Sequence, residues 1–246
     1  MPQSSATGVN VLNLAISIGA AIVVALLLKW PFGVSPWVGV PLGLLAGGGL
    51  FYYLAKRVQE SLEAIFKMAA EQLKRRHLEA AIQTMKTGYK WSRWQLMVKS
   101  SIDAQIGGIQ YMRNKPHEAE PLLKSAGINQ YVAKAMLAIL QWKRGEKANA
   151  KKTLDLAIRA GKKESVIYAL YAYVLNEMHE RDEAIKVLDQ GLKYCKGDER
   201  LLDNRTLLQN KKPMKMKKYG EQWYQFLLER PVIRQEPPPF ARVPRR

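Results

Sequence analysis

A single cysteine, Cys195, leaves no intramolecular disulfide to be formed and no cysteine-built metal cluster. Its place at the end of a helical pattern makes it a small apolar filler. Histidine is nearly as scarce: His77, His117 and His179 lie far apart and show no metal-ligand spacing. No serine, cysteine or histidine constellation marks a nucleophilic site, and no glycine-rich phosphate loop follows a strand. Acidic residues are few, 21 against 39 basic ones, for a formal net charge of +18. These absences predict a chain that is not an enzyme, with no catalytic residues, no cofactor and no metal.

Long apolar runs are present, and they are concentrated in the N-terminal quarter. After a short, polar, uncharged stretch at 1–10, Val11–Leu28 is broken only by Asn13, Ser17 and Gly19. It is long enough for about 27 Å of helix. Its flanks do not read as a signal peptide, since no basic segment precedes it and no small-x-small cleavage pattern follows. Lys29–Pro36 instead makes a tight loop, and a second apolar run spans Trp37–Ala55. Trp30 and Trp37 sit where interfacial aromatics belong, with Tyr52 and Tyr53 at the other end. The pattern predicts a transmembrane helical hairpin over 11–55.

Within the second run Gly39, Gly43 and Gly47 recur every four residues, followed by Gly48 and Gly49. Such a stripe lets two helix backbones touch in lipid. Packing inside the hairpin against Ala15, Gly19 and Ala20 is the first expectation, and a homo-oligomer contact is the second. Pro41 is expected to cause at most a local kink. Only Lys29 charges the connecting loop, whereas Lys56, Arg57, Lys67, Lys74, Arg75 and Arg76 follow the second run. The positive-inside rule then places both termini in the cytoplasm. The localisation this implies is an integral membrane protein, in a bacterium one of the inner membrane; an organellar membrane also fits.

The remaining sequence reads as paired helices. In residues 165–198 apolar side chains recur at helical spacing from Ile167 to Leu175 and from Ala184 to Leu192, with a polar break at Glu177–Asp182. Tyr168, Tyr171, Ala172, Ala184, Leu188 and Gly191 supply, in order, the large and small residues of a tetratricopeptide repeat (TPR), and the stretch resembles that family. Lys196 departs from it, standing where the family usually has a proline. One such unit cannot bury its own apolar face, so neighbours are expected. Thirty-four residues before Ala184 stands Ala150, with Leu137, Ala138, Leu154 and Ala157 in register. Thirty-one residues earlier comes Ala119, with Ile106, Gly107, Leu123 and Ala126. A weaker unit sets Ala81 among Met68, Ala69, Met85 and Gly88.

The expected fold is therefore all-α: an N-terminal transmembrane helical hairpin, then a TPR-like α-solenoid with C-terminal capping helices. The expected divisions are 1–10, 11–55, 56–210 for the repeats and their cap, and 211–246 for a basic linker, short helix and proline-rich tail. Val58–Arg76 carries no proline or glycine, so the second span can run straight into the first repeat. Glu199–Gln209, amphipathic through Leu201, Leu202, Leu207 and Leu208, reads as the cap, and Tyr219–Glu229 as a further short helix. The tail Pro231–Arg246 reads as extended.

The TPR resemblance implies a protein or peptide ligand in a groove lined by the first helix of each repeat. The partner-binding residues it implies are Tyr111, Ile139, Trp142, Tyr173 and Asn176, with Ala104, Gly108, Ala135 and Ala169 beside them. Ala104, Gly108, Ala135 and Ile139 leave no lysine–asparagine clamp for a terminal carboxylate, so an apolar or aromatic ligand fits better. The aromatic-basic run at 89–94, YKWSRW, reads first as repeat packing and second as contact with lipid headgroups. Basic clusters at 56–76, 211–218 and 242–246 suit anionic membrane lipid. Together these features predict a membrane-anchored interaction scaffold or assembly factor, with an architectural likeness to accessory subunits of envelope or secretion machines. The competing expectation is a membrane adaptor binding RNA or ribosomes through its basic surface; it ranks second because no nucleic-acid-binding module is present.

Overall fold

Small residues decide how the chain turns back on itself at its first two helices, α1 (Leu12–Lys29) and α2 (Pro36–Lys74). A Cβ at Gly43 would stand 2.5 Å from the Ala21 carbonyl oxygen, and one at Gly47 2.7 Å from that of Ser17. Gly39 faces Ala25 more loosely, at 3.7 Å, while Gly48 and Gly49 meet open space. The face of α1 used is thus Ser17, Ala21 and Ala25, not Ala15, Gly19 and Ala20. The backbones approach because no side chain stands between them. Away from this seam the helices are uncovered: Leu45 is 73% exposed, Trp30 91% and Trp37 89%. Both helices are long and apolar enough to cross a membrane.

The computed structural model describes residues 12–30, 33, 35–94 and 97–230, which are helical or irregular with no strand among them. The stretch 1–10 and the tail Pro231–Arg246 lie outside the described residues. Two units result, one through Ala133 and one from Lys134 onward.

In the first unit α2 continues for 39 residues, so one helix serves both the apolar hairpin and a pair with α3 (Leu78–Lys86). Val58, Ile65 and Ala69 form its buried stripe past the apolar run. A 3-10 segment, Thr87–Arg93, leads to α4 (Val98–Met112) and α5 (Pro116–Ser125). The core joins Val58 and Ala69 to Ala81, Ile82, Met85, Ile102 and Ile106, with Leu62, Phe66 and Tyr89 packed on it. A Cβ at Gly107 would lie 3.0 Å from Leu123, which explains the small residue where α4 crosses α5. Buried Asp103 accepts hydrogen bonds from Tyr89 Oη at 2.5 Å and Ser125 Oγ at 2.6 Å, tying the 3-10 segment and α5 to α4. Met68 departs from the repeat pattern: it is 53% exposed, with no helix among the described residues covering it.

The second unit takes in most of α6 (Tyr131–Lys143), then α7 (Lys147–Ala160), α8 (Ser165–Glu177), α9 (Arg181–Tyr194) and α10 (Glu199–Gln209). A buried bond from Thr153 Oγ1 to Gln141 Oε1, 2.8 Å, joins α7 to α6. Ala138, Ala150, Leu154, Ala157, Ala172, Ala184 and Leu188 have no exposed surface. The same small and large positions therefore close each helix pair, which is the packing of a helical repeat. Asp198 caps α10, accepting from the backbone N–H of Arg200 and Leu201.

Two C-terminal expectations change. Leu201 and Leu208 bury α10, but Leu202 is exposed and Asn204 is buried in the stripe instead. The helix expected over Tyr219–Glu229 shrinks to a 3-10 turn, Met216–Tyr219, and α11 (Glu221–Tyr224). Gly220 at φ +58° and Leu227 at φ +53° bend the backbone out of helix on either side.

Candidate interaction surface

The first helices of the repeat pairs contribute the side chains expected to meet a partner. Tyr111 lies on α4 in the first unit and is buried, and burial pushes its phenol well above the ordinary value. Ala104 beside it is also buried, and Gly108 half-buried. In the second unit, Ile139 and Ala135 on α6 and Ala169 on α8 have no exposed surface. Trp142 on α6, with Tyr173 and Asn176 on α8, remains half-buried. These three are the members of the expected set that present surface in that unit.

Tyr173 already has a neighbour. The indole of Trp223 meets its ring edge-on, with centroids 5.1 Å apart and planes 71° apart. Phe226 packs on Trp223 in turn, at 6.4 Å and 68°. Met216, Tyr219, Trp223 and Phe226 are all buried, at i, i+3, i+7 and i+10, although Gly220 breaks the helix between the first pair and the second. The segment after α10 thus folds back onto α8 through Trp223, with Phe226 packed behind it. Its upstream end is fixed by polar contacts: Lys215 N–H donates to Asn204 Oδ1 at 2.7 Å, and Lys218 pairs with Asp203. The Arg200 guanidinium stands over the Tyr219 ring at 4.7 Å. Burial is the main reason the Tyr173 phenol is raised, with Glu177 and Glu229 adding to it. The Trp223 Nε1–H has no hydrogen-bond partner among the described residues.

Sequence reasoning missed Trp223, Phe226, Met216, Tyr219 and Asn204 as parts of this face. The periodic aromatic spacing was the available signal; the docking site on α8 has no local signature. Among the described residues no three His, Cys, Asp or Glu side chains gather as metal ligands would. Cys195 is half-buried, and burial is the main reason its thiol is raised, with Asp198 and Glu164 adding to it. What the surface offers is apolar and aromatic contact framed by charge.

No family model matches the chain, and no curated protein matches it. Among solved structures, the crystal structure of MamA protein is similar over 73% of this chain and 92% of that one, at 14% identity and a TM-score of 0.44. A likeness that distant assigns no role to any residue here.

Proposed function

We propose that the chain is a membrane-anchored, TPR-like interaction scaffold that holds protein partners at the inner face of a membrane. The observation that carries this reading is the uncovered apolar surface of α1 and α2, on a helix that runs on without a break into the first repeat pair. A core helix of a water-soluble domain would be mostly covered, whereas α1 buries only Asn13 and Ser17. Leaving so many leucine, isoleucine and valine side chains in water costs about 1.5–3 kcal/mol for each one that lipid would cover. Residues 11–55 are then the anchor, 56–210 the repeat body, and 211–246 the basic linker and tail. The connecting loop faces away from the cytoplasm and both termini face into it.

The partner-facing residues in this reading are Trp142 and Asn176 of the second unit, Tyr173 being already covered by Trp223. The Trp223 indole set edge-on against Tyr173 shows that α8 accepts an aromatic side chain there, which supports a ligand segment with aromatic side chains. The glycines Gly39, Gly43 and Gly47 serve the hairpin's own seam.

Topology is the direct test. Single cysteines at Ser35→Cys and Lys163→Cys are placed in a Cys195→Ser background, since the raised, half-buried Cys195 thiol would report its own low reactivity as protection. In sealed cells an impermeant thiol reagent should label position 35 and leave position 163 unlabelled until lysis. Labelling of both, or of 163 alone, would defeat the proposed anchor and its orientation.

A further inference from the structure

The 3-10 segment Thr87–Arg93 is held at one end of the apolar hairpin, where the helices leave their long apolar stretch. Gly43 faces Ala21 and Ala25, and Gly47 faces Ser17 and Ala21. Four residues forward on α2 therefore match four back on α1, which sets Asn13 level with the turn around Phe51. The Asn13 N–H donates to the Trp94 carbonyl at 3.4 Å, joining the end of the 3-10 segment to this same level. Lys56 and Arg57 follow on α2 about 7–9 Å further along the axis. Lys90 and Arg93 leave the 3-10 segment, which contains no acidic residue.

All four cations are exposed. Arg57 and Arg93 make no ion pair among the described residues, and Lys56 reaches Glu60 only at 3.9 Å with both side chains in solvent. Lys90 lies over the Trp91 ring at 5.5 Å. The segment that presents Lys90 and Arg93 is fixed from beneath. Tyr89, Trp91 and Trp94 pack on the core of the first unit, and Tyr89 Oη donates to buried Asp103. Lys90 and Arg93 thus stand on a turn packed onto the core of the first unit and joined through Trp94 to the end of the hairpin that Lys56 and Arg57 follow.

We infer that Lys90 and Arg93, with Lys56 and Arg57, form a collar that binds anionic phospholipid headgroups around the base of the hairpin. The inference rests on the hairpin spanning the membrane. Its own support is the order of chemistry along α2: apolar belt, then Tyr52 and Tyr53, then cations, joined by a second set of cations from a distant part of the sequence. That order matches hydrocarbon, interface and charged headgroup. An acidic protein would find the same charges, but not their continuity with an uncovered apolar surface.

The test uses the full chain reconstituted in vesicles of phosphatidylcholine and phosphatidylglycerol. Spin-labelled forms of each lipid report its relative association with the protein. The wild type should select phosphatidylglycerol, and the Lys90→Gln, Arg93→Gln double variant should lose roughly fivefold in selection for each cation that contacts a headgroup. A Lys152→Gln, Lys163→Gln variant should select as the wild type does, and all three should melt alike. A nitroxide on Leu44→Cys, in a Cys195→Ser background, reads the anchor separately: it should be reached by oxygen and shielded from a water-soluble relaxant. A water-exposed label at 44 overturns the spanning reading and the collar with it. An embedded label at 44 with equal selection by wild type and double variant overturns the collar alone. So does a wild type that ignores lipid charge but binds RNA through Lys90 and Arg93.

Discussion

Gly191 of α9 lies against the ring of Tyr168 in α8, so closely that a Cβ there would stand 2.8 Å from Tyr168 Cγ and 2.9 Å from its Cβ. Tyr168 cannot swing aside, because it is fully buried and its hydroxyl donates to the Lys162 carbonyl at 3.1 Å. Gly191→Val should therefore lower stability by about 1–3 kcal/mol through overpacking. The gain in helix propensity over glycine, about 0.5 kcal/mol or less, offsets only part of that. Thermal melting of the full chain in detergent measures it; an unchanged or raised Tm would mean that α8 and α9 do not cross at this point.

That contact was legible because residue identity encodes it. Only a small side chain fits where two helix backbones meet, so Ala81, Ala119, Ala150 and Ala184 mark the crossings in sequence and have no exposed surface in the fold. Met68 shows where pattern stops being enough, since its burial needs a neighbour that the described residues do not supply. The seam of the hairpin was legible from α2, where glycine recurs every fourth residue. On α1 the only polar marks were Asn13 and Ser17, four residues apart, and both are buried; the seam runs along their face through Ser17, Ala21 and Ala25, not through the expected Ala15, Gly19 and Ala20. Least legible was the fold-back of Met216–Phe226 onto α8. Its aromatic spacing is local, but Tyr173 is far upstream, and sequence spacing says nothing of what a row of aromatics will cover.

The fold-back leads to a second prediction. Trp223 has no exposed surface and bridges Tyr173 and Phe226. Trp223→Ala should cost about 3–5 kcal/mol, as large-to-small changes at such sites do. Near-ultraviolet circular dichroism and urea unfolding should both register it. Loss of the aromatic signal with no change in the unfolding midpoint would mean that the segment only rests on α8.

A third prediction concerns acid. Burial alone would raise the Asp198 carboxyl, but hydrogen bonds from Arg200, Ser165 and the Leu201 N–H outweigh it and hold the group at about 2, below its ordinary 3.8. A carboxyl lowered on folding stabilises above its unfolded value, about 3.9, and that contribution is lost as pH falls toward about 2. Asp198→Asn keeps a capping side chain and removes the charge. At neutral pH it should be less stable than the wild type by about 1 kcal/mol. The gap should narrow between pH 4 and pH 2. A gap that stays constant over that range would place the stabilisation in the cap's geometry and not in its charge.

The last prediction separates a partner site from internal packing on α6 and α8. Trp142 and Asn176 are half-buried, whereas Tyr173 is committed to Trp223, so replacing Tyr173 would disturb the C-terminal segment as well as any partner. Trp142→Ala and Asn176→Ala are the cleaner pair. If Trp142 anchors a ligand, its removal should cost the isolated chain about 1–2 kcal/mol, short of a core tryptophan's, since part of the half-buried side chain remains in solvent. Interface energy concentrates in such aromatic anchors, so the same change should remove most of the capture of a crosslinked partner from membranes. If Trp142 instead fills a gap between helices, its loss should approach the 3–5 kcal/mol of a core tryptophan. Unfolding midpoints and crosslinking yields, measured on the same detergent-extracted variants, give both numbers. A stable double variant that still captures its partner in full would move the binding surface off this face and onto the basic edge of the repeats.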